Sequence, residues 1–292
     1  MKTQVLWQSN VITSGLHAAR GLAAGRSLAD LRLAPFEDAS QHFQGAIQSA
    51  GLPAARFWRH LLGLSTTNSG RALFEAAVLK TSGRRDGHVQ TVDQLWSAAG
   101  HFLAAYRDAL PNLADELALR ERPLREQWEA RGPGLLATFA RLTDEQLLPP
   151  QATVILVHPA FGGGGEAHLP YNSVRVEAVL ANPHADLPEV VRLGWLIAQL
   201  QLDLPDLSES IHADRLPHVA RFAVLPAILQ AAEEVELVRY SPELVRRAID
   251  AWQLSAPSDL DAAALVVDWW LTWQQDRPAP AVALAALDQM FG

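Results

Sequence analysis

The chain contains no cysteine. That excludes disulfide cross-links, thiol nucleophiles and every cysteine-ligated metal site. Long hydrophobic runs are missing too. The two most apolar stretches, residues 187–202 and 262–273, are interrupted by Arg192 and Asp268. Neither reaches the ~18 clean apolar residues of a membrane-spanning helix. The first residues carry no apolar core of about 7–15 residues, so no secretory signal is expected and a cytoplasmic protein is the default. Positive charge is in deficit, with 24 Lys and Arg against 32 Asp and Glu and a net charge of −8. A general nucleic-acid binder needs a basic face to replace phosphate counterions, so nucleic acid is not an expected partner. Lysine is nearly missing, since only Lys2 and Lys80 are present and the other 22 basic residues are arginine. With so much alanine, this reads as the codon bias of a GC-rich genome and carries no functional weight.

What is present is core material. Of 292 residues, 49% are hydrophobic and 19% charged, with nine Trp and nine Phe. That suits one large or two smaller folded domains rather than disorder. Residues 1–110 read as a helical N-terminal region and 111–292 as an α+β region with C-terminal helices; one continuous domain is the other division. Ser27–Asp30, Thr91–Gln94 and Asn112–Asp115 each resemble a helix start, the second a capping box. Pro53, Pro111, Pro123 and Pro133 are expected at helix boundaries.

The hydrophobic period changes at Gln151. Residues 152–157 (ATVILV) and 173–180 (SVRVEAVL) have the composition of strands, with a Phe161–Gly165 glycine loop between them. The predicted fold is therefore α+β and predominantly α-helical, with a small sheet over about residues 150–182. A helix over 189–202 follows. It is apolar on nearly every face and hence predicted to be buried at the centre. A helix over 218–238 should kink at Pro226. Ser241-Pro242-Glu243 is a strong helix start, and helices over 260–275 and 281–291 complete the chain.

Most catalytic patterns fail on inspection. Residues 162–167 satisfy G-x-G-x-x-A after a strand, but a second strand follows where the dinucleotide mechanism requires a helix. No Gly-Lys-Ser/Thr is present. Four consecutive glycines without a lysine partner read as a mobile cover. The ten histidines contain no i, i+4 pair and no His-Glu dipeptide, so helical zinc hydrolysis has no constellation. No G-x-S-x-G nucleophile elbow exists. Asp203, Asp206 and Glu209 read as a solvated turn, and the Trp269, Trp270 and Trp273 cluster as core. His158 and His168 flank the glycine loop and are placed to meet there.

The order of strand, glycine loop, edge-like strand and long buried helix resembles the zincin metallopeptidases, especially the gluzincin branch. The resemblance spans roughly residues 123–237. It implies a leading helix over 123–142, with Leu124, Trp128 and Leu135 facing inward. It also implies an active-site helix that would bear H-E-x-x-H. In this chain those positions fall on Gly194, Trp195, Leu196, Ile197 and Ala198. Gly194 and Ala198 stand in place of the two metal histidines, and Trp195 in place of the catalytic glutamate. The third ligand would correspond to Glu233 or Glu234. The resemblance thus implies a degenerate, non-catalytic scaffold with no metal or cofactor, acting in protein or ligand binding. The bland alternative is a mostly helical domain with a β-hairpin. The rival function is a hydrolase whose carboxylates and histidines converge in space, with His158, His168, Glu177 and Glu189 as cleft candidates.

Overall fold

The computed structural model describes residues 3–83, 88–254 and 260–292. The fold is α+β and predominantly helical, built around one four-stranded mixed sheet. Strand β1 (Gln4–Ser9) leads into α1 (Val11–Ala23). A helical layer follows: α2 (Glu37–Ser49), α3 (Ala54–Leu64), α4 (Gly70–Ser82), α5 (Val89–Ala109) and the long α6 (Leu113–Leu142). Strands β2 (Gln151–Val157), β3 (Gly165–His168) and β4 (Ser173–Glu177) come next. Then come α7 (Glu189–Ala198), the single turn α8 (Pro205–Ser208), α9 (Leu216–Ala223), α10 (Leu225–Glu234), α11 (Pro242–Ala251), α12 (Ala262–Asp276) and α13 (Pro280–Met290). No helix among the described residues is long and apolar enough to cross a membrane.

The sheet order is β1-β2-β4-β3. β1 and β4 run parallel to β2, and β3 lies antiparallel to β4 at the far edge. The sheet is therefore larger than residues 150–182 suggest, because β1 comes from the N-terminus. Its Val5 and Trp7 are half-buried, while Gln4, Leu6 and Gln8 face outward. Six residues of weak alternation do not stand out in a helical region. β4 stops at Glu177, three residues short of the predicted end.

Helix caps account for several boundaries. Asn10 accepts from Thr13 N at 3.0 Å, Ser241 from Leu244 N at 3.1 Å and Asp261 from Ala264 N at 3.1 Å. Each satisfies one open donor of a first turn. Two expected starts are displaced. Asp30, not Ser27, caps the turn over Leu31–Phe36, and α5 begins at Val89, so Thr91 lies inside its first turn. Pro123 and Pro133 are not boundaries: α6 runs through both. A proline frees the carbonyl four residues earlier. Here those belong to Leu119 and Glu129, both exposed, where water can take the lost bond. Pro226 does break the chain, dividing the predicted kinked helix into α9 and α10.

The sheet has two differently furnished faces. On β4, Val174 and Val176 point one way; Ser173, Arg175 and Glu177 point the other. The apolar face is covered by α7, whose ten residues are all buried. Gly165 allows that approach, because a Cβ there would lie 2.6 Å from Leu196 Cδ1 and 2.7 Å from the Arg175 carbonyl. The polar face lies under α1, and all five residues of β4 are buried. The Trp cluster of α12 is core: Trp269 Nε1 donates to the Ala283 carbonyl and Trp270 Nε1 to Gln230.

Candidate functional site

The polar face of β4 and the loop before β3 build the site. Gly162, Gly163 and Gly164 have φ of 80°, 129° and 152°, conformations that side chains beyond glycine rarely adopt. They turn the chain so that its amides converge on Glu177. Gly163 N donates to Glu177 Oε2 at 2.7 Å, and Phe161 N approaches both carboxylate oxygens at 3.2 and 3.3 Å. His17 Nε2, from α1, lies 2.6 Å from Oε1. Burial lowers the His17 pKa to about 4, aided by the Arg175 charge. The imidazole is therefore neutral at pH 7 and donates from Nε2. Burial alone would raise the Glu177 pKa, but the His17 bond and the Gly163 amide hold it below the ordinary carboxylate value. The glycine loop is thus a cradle for an internal anion, in place of the free cover expected from four glycines.

A second carboxylate, Glu166 on β3, is shared by three arginines. Arg20 of α1 pairs with it, Arg175 Nη2 is 2.8 Å away, and Arg221 Nη2 of α9 is 3.7 Å away. Burial pushes the Glu166 pKa up; the Arg20 and Arg175 charges overcome that and hold it well below normal. Arg175 is 4% exposed. Burial pulls its pKa down to about 10 in spite of Glu166, and its Nε has no hydrogen-bond partner. His168 Nε2 lies 3.4 Å from Arg175 Nη1. Burial first and Arg175 second depress the His168 pKa to about 3.

The third wall comes from α7. Arg192 is 3% exposed and sits 3.3 Å from Glu189 Oε1, yet without hydrogen-bond geometry. Burial drives both members toward neutrality, raising the Glu189 pKa and lowering that of Arg192. Trp195 is buried; its Nε1 donates to the Arg221 carbonyl at 2.8 Å, and its ring lies 4.8 Å from that of Trp252. These elements enclose a cavity of about 260 Å³, lined by Arg20, Arg26, Arg175, Arg192, Arg221, Glu166, His17, the glycine loop, Trp195 and Trp252. A larger cavity, about 830 Å³, adjoins it across Arg20, Glu166 and Arg221.

The structure distributes the expected site residues unevenly. Glu177 lies behind the glycine loop, against its amides and His17, and Glu189 beside Arg192; neither lines the cavity itself. His158 does not meet His168. Its Nε2 contacts Asp30 Oδ2 at 2.9 Å beside Tyr106. The two histidines sit at opposite ends of the sheet, five residue steps or roughly 16 Å apart along the strands. Of the degenerate helix positions, Trp195 faces the cavity. Gly194 points into the α6–α10 contact, where a Cβ would meet Leu135 Cδ2 at 2.6 Å and Ile228 Cδ1 at 3.4 Å. Ala198 is fully buried. Glu233 and Glu234 are exposed and otherwise engaged, with the Tyr240 amide and Arg141 respectively. Among the described residues no group of three or more His, Asp or Glu side chains is arranged to hold a metal ion.

Sequence reasoning missed His17, Arg20, Arg26, Arg221 and Trp252. One signal was available: a charged residue inside an apolar run, as Arg175 and Arg192 are, must find a partner when buried. Chemically, the cavity offers guanidiniums and carboxylates tied in ion pairs. No Ser, Thr, Lys or Tyr lines it among the described residues, so no hydroxyl or amine nucleophile is present there. No known family model, no curated protein and no solved structure matches this chain.

Proposed function

We propose that the chain is a non-catalytic ligand-binding protein on a degenerate zincin-like scaffold. Support for the scaffold is the element order of α6, β2, glycine loop, β4 and buried α7; β4, expected as the edge strand, is interior, because the short β3 pairs on its outer side. The observation that carries the non-catalytic part is the packing at Gly194. The place where a metal-ligating imidazole would project is filled by Leu135 and Ile228, and a polar ring there would need buried partners. The binding site is the cavity between α1, the glycine loop and α7. The test is elemental analysis after dialysis into metal-free buffer, with a panel of fluorogenic peptide and ester substrates. No stoichiometric zinc and no turnover are expected; about one zinc per chain, or turnover, overturns the reading.

The second reading is a hydrolase, favoured by the 2.6 Å contact between His17 and Glu177 at the cavity wall. In that reading His17 is the general base, and His17→Ala abolishes turnover of whichever panel member is cleaved.

A further inference from the structure

We infer that the cavity lined by Arg26, Arg175 and Arg192 binds a small organic dianion of the phosphomonoester class, with its apolar arm against Trp195 and Trp252. The inference rests on the binding reading above and adds the ligand's chemistry to it.

Charge is the first argument. Five guanidiniums line the cavity and Glu166 lines it with them; Glu177 lies behind the glycine loop and Glu189 beside Arg192. Glu166 alone is shared by Arg20, Arg175 and Arg221. Glu177 is already saturated by His17 and loop amides. Among the described residues, two positive charges remain without a counter-charge. Buried cations that are not paired are costly, and a dianion supplies the missing charge where a monoanion leaves one guanidinium unmatched.

Geometry is the second. Arg175 and Arg192 are almost wholly buried, and each has an Nε with no hydrogen-bond partner. Arg26 has no carboxylate at ion-pair distance among the described residues; it stacks on Phe161, 4.3 Å from the ring centroid. The glycine loop passes between two guanidiniums. Arg192 Nη1 lies 3.6 Å from the place a Gly163 Cβ would take, and Arg26 Nη2 lies 3.6 Å from that of Gly164. Side chains there would fill the space in front of both guanidiniums. Planar guanidiniums lining one cavity beside the loop suit the several acceptor oxygens of a phosphate. An adjoining wall is aromatic, with the Arg192 guanidinium 5.8 Å from the centroid of the Trp252 ring. Trp195 and Trp252 lie with ring centroids 4.8 Å apart, and Trp252 Nε1 is buried with no partner among the described residues. A volume of about 260 Å³ leaves room for a ring or short chain beside the head group.

The test is calorimetric titration of the full chain with phenyl phosphate in a low-salt Tris buffer, alongside inorganic phosphate, benzoate and phenol. Phenyl phosphate should bind at one per chain, more tightly than inorganic phosphate or benzoate, and phenol should not bind. Arg26 is half-buried and unpaired, so Arg26→Gln should keep the fold and weaken binding about tenfold or more, as loss of a charge-assisted hydrogen bond does. Arg192→Gln should do at least as much, with its melting curve checking the fold. Arg56→Gln, in the larger adjoining cavity, should leave affinity unchanged. Absence of saturable phenyl phosphate binding overturns the inference. So do equal affinity for benzoate and undiminished binding by Arg26→Gln. Release of phenol during the titration would instead overturn the non-catalytic reading and leave the anion site standing.

Discussion

Removing the Glu177 carboxylate should unpin the glycine loop, and the size of the effect follows from its contacts. The side chain accepts from His17 Nε2 at 2.6 Å, Gly163 N at 2.7 Å and Phe161 N at 3.2 Å, and it is 1% exposed. Glu177→Ala leaves three donors without that acceptor, the buried His17 ring and the partly buried Phe161 and Gly163 amides. Each stranded donor costs about 1–3 kcal/mol, less whatever water entering the space recovers. A loss of at least about 3 kcal/mol is expected in urea melts. Glu177→Gln is the graded comparison. Its amide oxygen can keep the two loop amides, and its NH₂ can donate to the other neutral tautomer of His17. The loss should then be about 1–2 kcal/mol, the worth of charge assistance in the bonds that remain. Hydrogen exchange reads the same contacts locally. The Phe161 and Gly163 amides should be protected in the unaltered protein, unprotected in Glu177→Ala, and intermediate in Glu177→Gln. ATP or NAD should change none of this, because the cradle is already filled from within. An Ala loss below about 1 kcal/mol, or fast exchange at Gly163 in the unaltered protein, would refute the reasoning.

Trp195→Ala removes a buried ring, its bond to the Arg221 carbonyl and its contact with Trp252, and should cost roughly 3–5 kcal/mol in denaturant melts; less than about 1 kcal/mol counts against burial. Gly165→Ala forces a methyl against Leu196 and the Arg175 carbonyl, and thermal unfolding should show a loss of about 1–3 kcal/mol or more. Stability should also fall as pH drops below 6.5. His17 and His168 have folded pKa values lowered to about 4 and about 3, and that of His158 is lowered too, in each case chiefly by burial. A lowered histidine pKa means the unfolded chain binds the extra protons. The stabilisation is therefore complete above the unfolded value of 6.5 and is lost as pH falls toward the folded values. Urea midpoints from pH 7.5 to 5 should show uptake of more than one proton on unfolding, with His60 and His218, also lowered chiefly by burial, adding to the same trend; a flat profile contradicts neutral burial of these rings.

Sequence by itself determined what depends on short range. The helical class, the strands at β2 and β4, the caps at Ser241 and the break at Pro226 follow from period and local hydrogen-bond chemistry, which neighbours along the chain decide. The total burial of α7 was legible for the same reason, since a helix apolar on every face has no wet side. Tertiary structure decided the rest. β1 is a strand because β2 offers a free edge to a segment almost 150 residues away, and six residues carry too little pattern to announce that. The prolines of α6 sit inside a helix because the carbonyls they free happen to face water. The site lies on one face of an alternating strand, and the alternation does not say what covers that face. Ser173-Val174-Arg175-Val176-Glu177 has the pattern of a strand with one wet face, yet α1 covers that face and brings His17 and Arg20 to it. Whether a charged side chain on a strand meets solvent or a distant counter-charge is a property of what packs above it. Period and spacing along one segment hold no information about that neighbour.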